Sequence, residues 1–138
     1  MKKKGYFEYK NDMYPRKLWV MVEEHKWIVE GNFIDSDGNP LRFGTEEGFD
    51  GRTFSEVKSK DGGYFGNLVV FHSKRCMTMG TICHEAFHVL SALNDSLGLE
   101  RYYNGLNEHQ AYLMGWIGSC INKARLGKGD FIEIKEND

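Results

Sequence analysis

Residues 79–93 read MGTICHEAFHVLSAL. Apolar residues recur in this stretch at the three- and four-residue spacing of a helix, and they cover more than one stripe of its surface. The stretch therefore predicts a central, buried helix. Asn94, Asp95 and Ser96 predict its end, and Gly98 predicts a left-handed cap because glycine tolerates positive φ.

A second helix is predicted downstream. It can begin near Asn104 or Asn107, which are favourable N-cap residues, and run to about Arg125, with Gly127 past its end. The tail over residues 131–135 alternates weakly and predicts a short strand.

The first half of the chain is rich in strand signals. Residues 17–22 and 26–33 carry β-branched and aromatic side chains and predict two strands. Residues 53–59 and 64–72 flank Asp61-Gly62-Gly63 and predict a hairpin. The run at residues 68–71 does not alternate, which predicts a strand covered on both faces.

These elements predict an α+β fold, built as one domain over residues 1–138. We expect a small, mostly antiparallel sheet from the N-terminal half, packed against the two helices. The composition, with 41% hydrophobic and 28% charged residues, is that of a soluble globular protein. One hydrophobic core is therefore expected.

Charge and hydropathy narrow the expected partners. The formal net charge of -2 provides no electrostatic footprint for nucleic acid or an anionic membrane. The first apolar run, residues 18–22, is too short for a signal peptide or a membrane span. We expect a cytoplasmic protein with no membrane or nucleic-acid partner.

The three cysteines form no CxxC pair, and an odd number does not fit a disulfide framework. We expect Cys76, Cys83 and Cys120 to stay reduced. Cys83 and Cys120 lie in apolar helical stretches, which predicts that they are small core residues.

The central helix also carries a chemical pattern. His84 and His88 are four residues apart, so both imidazoles lie on one helix face and can bind one tetrahedral zinc ion. Glu85 is turned by about 100° from His84 and can address a water activated by the metal, as in an HExxH metallopeptidase. The alternative is a pair of core histidines with satisfied hydrogen bonds. Three polar side chains in a largely apolar helix need partners, which a metal and its water would supply.

A third ligand is available in the next helix. Glu108 follows His88 after 108 − 88 − 1 = 19 residues, which is enough chain to bring the second helix back beside the first. A structural zinc site is usually closed by four protein ligands, whereas three leave a position open for water. The predicted ligand count therefore favours catalysis over a purely structural metal.

Taken together, HExxH and a glutamate 19 residues later, in the pair Asn107-Glu108, resemble the thermolysin-like gluzincins. The uncharged flanks over residues 81–90 also match that pattern. The resemblance implies a zincin-like fold, zinc bound by His84, His88 and Glu108, and Glu85 as general base. It further implies hydrolysis of peptide bonds in a peptide or protein substrate.

Other parts of the resemblance are looser. The string over residues 107–116 is similar to short HExxH proteins encoded in bacteriophage genomes. Tyr112 stands where the thermolysin-like enzymes have an acidic residue that supports a ligand. By analogy with related enzymes, we expect the strand over residues 64–72 to lie beside the cleft and pair with an extended peptide.

Four side chains are candidates for stabilising the oxyanion of the transition state: Tyr102, Tyr103, Tyr112 and His109. For the tyrosines the alternative is loop or core packing, and for His109 it is a solvated surface histidine. Two alternatives to the enzyme remain open. One is a catalytically inactive zincin-fold binding or regulatory module stabilised by its metal, and the other is a virion or host-takeover protein with no metal.

Overall fold

A computed structural model describes residues 3–44, 48–99 and 108–136. Over these ranges the chain is α+β, with six strands and three α-helices. In chain order the elements are β1 Gly5–Lys10, β2 Lys17–Met21, α1 Lys26–Asn32, β3 Phe33–Ile34, β4 Gly51–Ser59, β5 Gly66–Phe71, a 3-10 turn Lys74–Cys76, α2 Met79–Leu97, α3 Glu108–Arg125 and β6 Asp130–Glu133.

The six strands form one sheet in the order β3-β4-β5-β2-β1-β6. β4 and β5 pair antiparallel, as the hairpin prediction required. β2 and β5 pair parallel, with Leu18 beside Asn67 and Val20 beside Val69. The sheet is therefore mixed, and the prediction of a mostly antiparallel sheet is wrong. Turn chemistry does not reveal that β5 returns beside β2, because α1, β3 and β4 lie between these strands in the chain.

The strand predicted over residues 26–33 is also wrong. Residues Lys26–Asn32 form helix α1, and only Phe33 and Ile34 form a strand. Ile28 and Val29 are buried, and Asn32 closes the last turn by donating from Nδ2 to the Ile28 carbonyl at 2.9 Å. Burial against the sheet outweighs the β-propensity of these side chains, because propensity is a weak preference.

Both faces of the sheet are covered. Side chains alternate along β2, so Leu18 and Val20 face α2 and α3, whereas Trp19 and Met21 face α1 and the segment after β3. The same division holds in β5, where Val69 and Phe71 join the first core and Leu68 and Val70 join the second. The predicted burial of this strand on both faces is confirmed.

The helix predicted from residues 79–93 is confirmed as α2. The Thr78 hydroxyl caps its start by accepting the Thr81 N–H, and Gly98 ends it in the left-handed region at φ 65°. Burial covers only part of the helix, however, because Met79 is 78% exposed and Phe87 is 61% exposed. The prediction that this helix is buried is therefore wrong for its outer face, where Met79 and Phe87 face outward.

The second helix is confirmed as α3 as far as Arg125, with Gly127 at φ 74° beyond it. Its predicted start at Asn104 or Asn107 lies outside the described residues. The predicted strand in the tail is confirmed as β6, which pairs with β1, a strand that the sequence analysis missed.

The cysteines differ from each other in the structure. All three are free thiols. Cys120 is buried, so its prediction as a core residue is confirmed, whereas Cys83 is exposed and its prediction is wrong. Separately, no described helix combines the length and apolar character needed to cross a membrane.

Candidate functional site

The HExxH residues line a groove of about 640 Å³ between α2 and β4. On the helix side His84, His88, Ser91 and Asp95 follow one another at spacings of four, three and four residues, which places them on one face. On the strand side the groove is lined by β4 residues between Gly51 and Glu56. The predicted pair of histidines therefore faces an open space beside a strand.

The two imidazoles meet in that groove. The Nε2 atoms of His84 and His88 are 3.3 Å apart, and the ring centroids are 4.9 Å apart at an angle of 75°. Tetrahedral zinc with Zn–N bonds of about 2.0–2.1 Å holds two nitrogens about 3.3–3.4 Å apart, so this donor pair fits a zinc ion. The same separation also suits a long hydrogen bond between one protonated and one unprotonated ring nitrogen.

Burial does not constrain these histidines. The side chain of His84 is 68% exposed, and His88 is exposed as well. Solvent can therefore satisfy both rings. The expectation that a buried helix forces a metal onto them is wrong, and the argument from burial applies only to Glu85.

Glu85 is buried at 4% exposure and lies between α2 and β4. Its Oε1 accepts a hydrogen bond from the Thr53 hydroxyl at 2.8 Å, and its Oε2 is 3.9 Å from the His84 Nε2. A Cβ added at Gly51 would lie 2.9 Å from the Glu85 Cγ, so the glycine makes room for the glutamate against the strand. Helix and strand together fix this carboxylate next to the histidines.

The strand beside the groove is β4, and the expectation that residues 64–72 would fill this place is wrong. β5 is paired with β4 on one side and with β2 on the other, so it has no unpaired edge with which a peptide could form hydrogen bonds. β4 meets β3 only at Lys58 and Ser59. Among the described residues, the outer edge of β4 before Lys58 is therefore unpaired, and unpaired strand edges are templates for another strand.

A bulge interrupts β4 at Ser55 and Glu56, where the register against β5 shifts. Glu56 has φ 49°, an unusual value for a residue with a side chain. Its N–H donates to the Asn67 Oδ1 at 3.3 Å, and its carboxylate pairs with the Arg16 Nε at 3.1 Å. These contacts fix the bulge beside the groove. β-Bulges are common next to functional sites.

Glu108, the third predicted ligand, lies at the start of α3. Its side chain is exposed, and among the described residues no hydrogen bond or ion pair joins it to His84 or His88. Over residues 3–44, 48–99 and 108–136, no group of three or more His, Cys, Asp and Glu side chains is arranged to hold a metal ion. The first turn of α3 does contact α2, because the amides of Asn94 and Gln110 exchange two hydrogen bonds at 2.7 and 2.9 Å.

The candidates for oxyanion stabilisation have different surroundings. His109 is half-buried, and its Nε2 lies 2.7 Å from the Tyr14 hydroxyl, with the two rings edge to face. It is therefore not the solvated histidine of the alternative interpretation. Tyr112 is 46% exposed. Tyr102 and Tyr103 lie outside the described residues.

Sequence reasoning missed the residues that β4 and the β1–β2 turn add to this region. Thr53 donates a hydrogen bond to Glu85, which lies 32 residues further along the chain, and Tyr14 contacts His109, which lies 95 residues further along. Neither residue belongs to a motif, so only the folded sheet reveals these contacts.

Comparison with known proteins assigns the chain to no family. No family model matches it, no curated protein matches it, and no solved structure matches it. Its chemistry is therefore argued from its own residues.

Proposed function

We propose that this protein is a zinc-dependent metallopeptidase with a zincin-like fold, which hydrolyses peptide bonds in the groove between α2 and β4. One observation carries the proposal. The Nε2 atoms of His84 and His88 are 3.3 Å apart in an open groove, directly beside the buried carboxylate of Glu85. This is the arrangement that an HExxH helix needs for metal-assisted hydrolysis.

His84 and His88 would hold the metal through Nε2, and Glu108 would be the third ligand. The two hydrogen bonds between Asn94 and Gln110 support the assignment of Glu108 as a ligand, because they join the first turn of α3, where Glu108 lies, to the helix that carries the histidines. Three ligands leave one position open. A zinc ion held there would lower the pKa of a water molecule and polarise the carbonyl of the substrate.

Glu85 acts as general base. It accepts the proton of the attacking water and returns it to the leaving amine. The Thr53 hydroxyl holds Oε1, which leaves Oε2 on the side of His84 for this transfer. Because the carboxylate is held from both α2 and β4, it does not need to be ordered when the substrate arrives.

The substrate is an extended peptide or protein segment that pairs with the outer edge of β4, which is unpaired before Lys58 among the described residues. Strand addition of this kind uses main-chain hydrogen bonds and therefore fixes the direction of the peptide backbone. The bulge at Ser55 and Glu56 ends the regular edge, so pairing is confined to the stretch from Gly51 to Phe54.

A second candidate is a zincin-fold binding module without turnover. Two observations favour it: Glu85 already has a partner in Thr53, and in the described part of the chain no hydrogen bond or ion pair joins Glu108 to either histidine. This module would bind peptide on the same strand edge but would leave it intact. Hydrolysis therefore separates the two candidates.

Metal content tests the ligand set. We expect one zinc per chain in protein purified without chelator, and clearly less in His88→Ala and Glu108→Ala. His72→Ala and Glu133→Ala are matched controls, because His72 and Glu133 are exposed and do not line the groove. Elemental analysis that finds well under half an equivalent of any divalent metal in the parent would contradict the site.

Hydrolysis of a mixed peptide library tests the role of Glu85. Glu85→Gln keeps size and hydrogen bonding but removes the base, so cleavage should fall by roughly 100-fold or more while zinc content persists. Glu133→Gln should cleave like the parent. A zinc-loaded parent that cleaves nothing supports the binding module, and equal cleavage by Glu85→Gln rejects the proposed base.

A further inference from the structure

A second cavity of about 450 Å³ lies at the C-terminal end of α3, where the helix meets β1 and β6. Its floor is apolar and includes Phe7, Val22 and Phe131. The rings of Phe7 and Phe131 pack edge to face with centroids 5.0 Å apart. Phe131 and Val22 are only half-buried, so this floor retains apolar surface that a ligand can cover.

The walls of this cavity are basic. Lys3, Lys4, Lys74 and Arg125 line it, together with one carboxylate, Glu23. Lys4 pairs with Glu136 at 2.9 Å. In the part of the chain that the structure describes, neither Lys3 nor Lys74 forms an ion pair. The walls therefore carry an excess of positive charge, although the whole chain has a formal charge of -2.

Arg125 is partly ordered before any ligand arrives. Its Nε and Nη2 donate to the Asn122 Oδ1 at 3.2 and 2.9 Å, so its position is held by a neutral partner that leaves the positive charge in place. The end of α3 is itself closed by hydrogen bonds, including one of 2.8 Å from the Lys128 N–H to the Lys123 carbonyl. These bonds occupy carbonyl oxygens that would otherwise face an incoming anion.

The cavity is distinct from the HExxH groove. α3 has 18 residues and is about 27 Å long at 1.5 Å per residue, and the cavity lies at its C-terminal end, whereas Gln110 in its first turn contacts Asn94 of α2. The residues that line the two spaces do not overlap. A ligand here would not take part in the hydrolysis proposed above.

We propose that this cavity binds a small amphipathic anion, a carboxylate carried on a hydrocarbon chain. The chain lies on Phe7 and Phe131, and the carboxylate binds Arg125 and Lys74. An arginine matches the two oxygens of a carboxylate, and apolar burial supplies the remainder of the affinity. The volume is within the range of small-molecule sites.

The experiment uses octanoate as the probe and the full chain labelled with ¹⁵N. Octanoate should give saturable shifts in amide signals of β1, β6 and the end of α3. Octanol, which has the same chain without the charge, should bind at least tenfold more weakly, and octylammonium should not bind there. Octanol as tight as octanoate, or shifts that map to the α2–β4 groove, would overturn the proposal.

Charge reversal locates the head group. Lys74→Glu and Arg125→Glu should each weaken octanoate at least tenfold, whereas Lys60→Glu, an exposed lysine in the turn after β4, should have no effect. If a reversal variant does not fold, Lys74→Gln and Arg125→Gln replace it. Unchanged affinity in these variants would reject the site. A short peptide ending in leucine that binds more tightly than octanoate would replace the fatty acid with a peptide C-terminus and overturn the proposed ligand class.

Discussion

The two faces of α2 both carry apolar side chains but have opposite environments. The inner face buries Glu85, Ala86, Val89 and Leu93, whereas Phe87 on the outer face is 61% exposed. The only ionisable group on the inner face is the carboxylate with a hydrogen-bond partner on β4. Stability should therefore depend on the inner face, and metal chemistry on the residues that face the groove.

The largest difference is expected from core truncation. Leu93→Ala should lower the free energy of unfolding by about 2–5 kcal/mol, because it removes a side chain that is 2% exposed from the core between α2, α3 and the sheet. Phe87→Ala is the matched control on the outer face and should change it by less than about 0.5 kcal/mol. Urea denaturation of both variants measures the contrast, and equal losses would show that the two faces do not differ in this way.

A smaller effect is expected from Thr53→Val, which removes the hydroxyl but keeps the shape of the side chain. The buried carboxylate of Glu85 then loses its donor, which should cost about 1–3 kcal/mol of unfolding free energy. The cost should be lower in a Glu85→Gln background, because a neutral amide is less expensive to leave unpaired. A double-mutant cycle tests this coupling, and additive effects would contradict it.

His88→Ala should change the stability of chelator-treated protein by no more than about 0.5 kcal/mol, because the side chain is exposed and leaves no buried cavity. Excess zinc should then stabilise the parent but not the variant, since only the parent retains both nitrogens. Equal stabilisation by zinc, measured by thermal unfolding, would contradict the proposed ligand.

The smallest effect on stability is expected from alkylation of Cys83. This thiol is exposed and should react with iodoacetamide at pH 8 without a change in unfolding free energy. Burial raises the pKa of Cys120 to about 12, so its thiolate is scarce below that pH and it should react only as the protein unfolds. Mass spectrometry of timed samples distinguishes the two sites, and equal rates in folded protein would contradict this assignment.

The helices show which elements the local sequence pattern can predict. Periodicity predicted α2 and the end of α3, and the glycines after them predicted where each helix ends. The same reasoning missed α1, since Ile28 and Val29 have β-propensity but are buried on the sheet as helical residues. A short segment follows its tertiary contacts more closely than its intrinsic preference.

The residues of the candidate site also fall into those that the sequence predicted and those that it did not. The spacing of His84 and His88 is a property of a single helix, so the sequence predicted that the rings share a face, and their nitrogens lie 3.3 Å apart. Thr53 could not be predicted, because its contact with Glu85 depends on how α2 crosses β4. The role of Glu108 stays a prediction, since it requires two helices to meet at a defined position.

By itself, the sequence determined the features that depend only on residues close together in the chain. These are the i, i+4 pair of imidazoles, the helical periods and the glycine cap at Gly98. The tertiary structure decided that β4 and not β5 borders the groove, that β2 and β5 run parallel, and that basic residues from both ends of the chain meet over Phe7. These features join residues that are distant in the chain. Their energies come from packing and from long-range hydrogen bonds, which leave no periodic pattern in the local sequence.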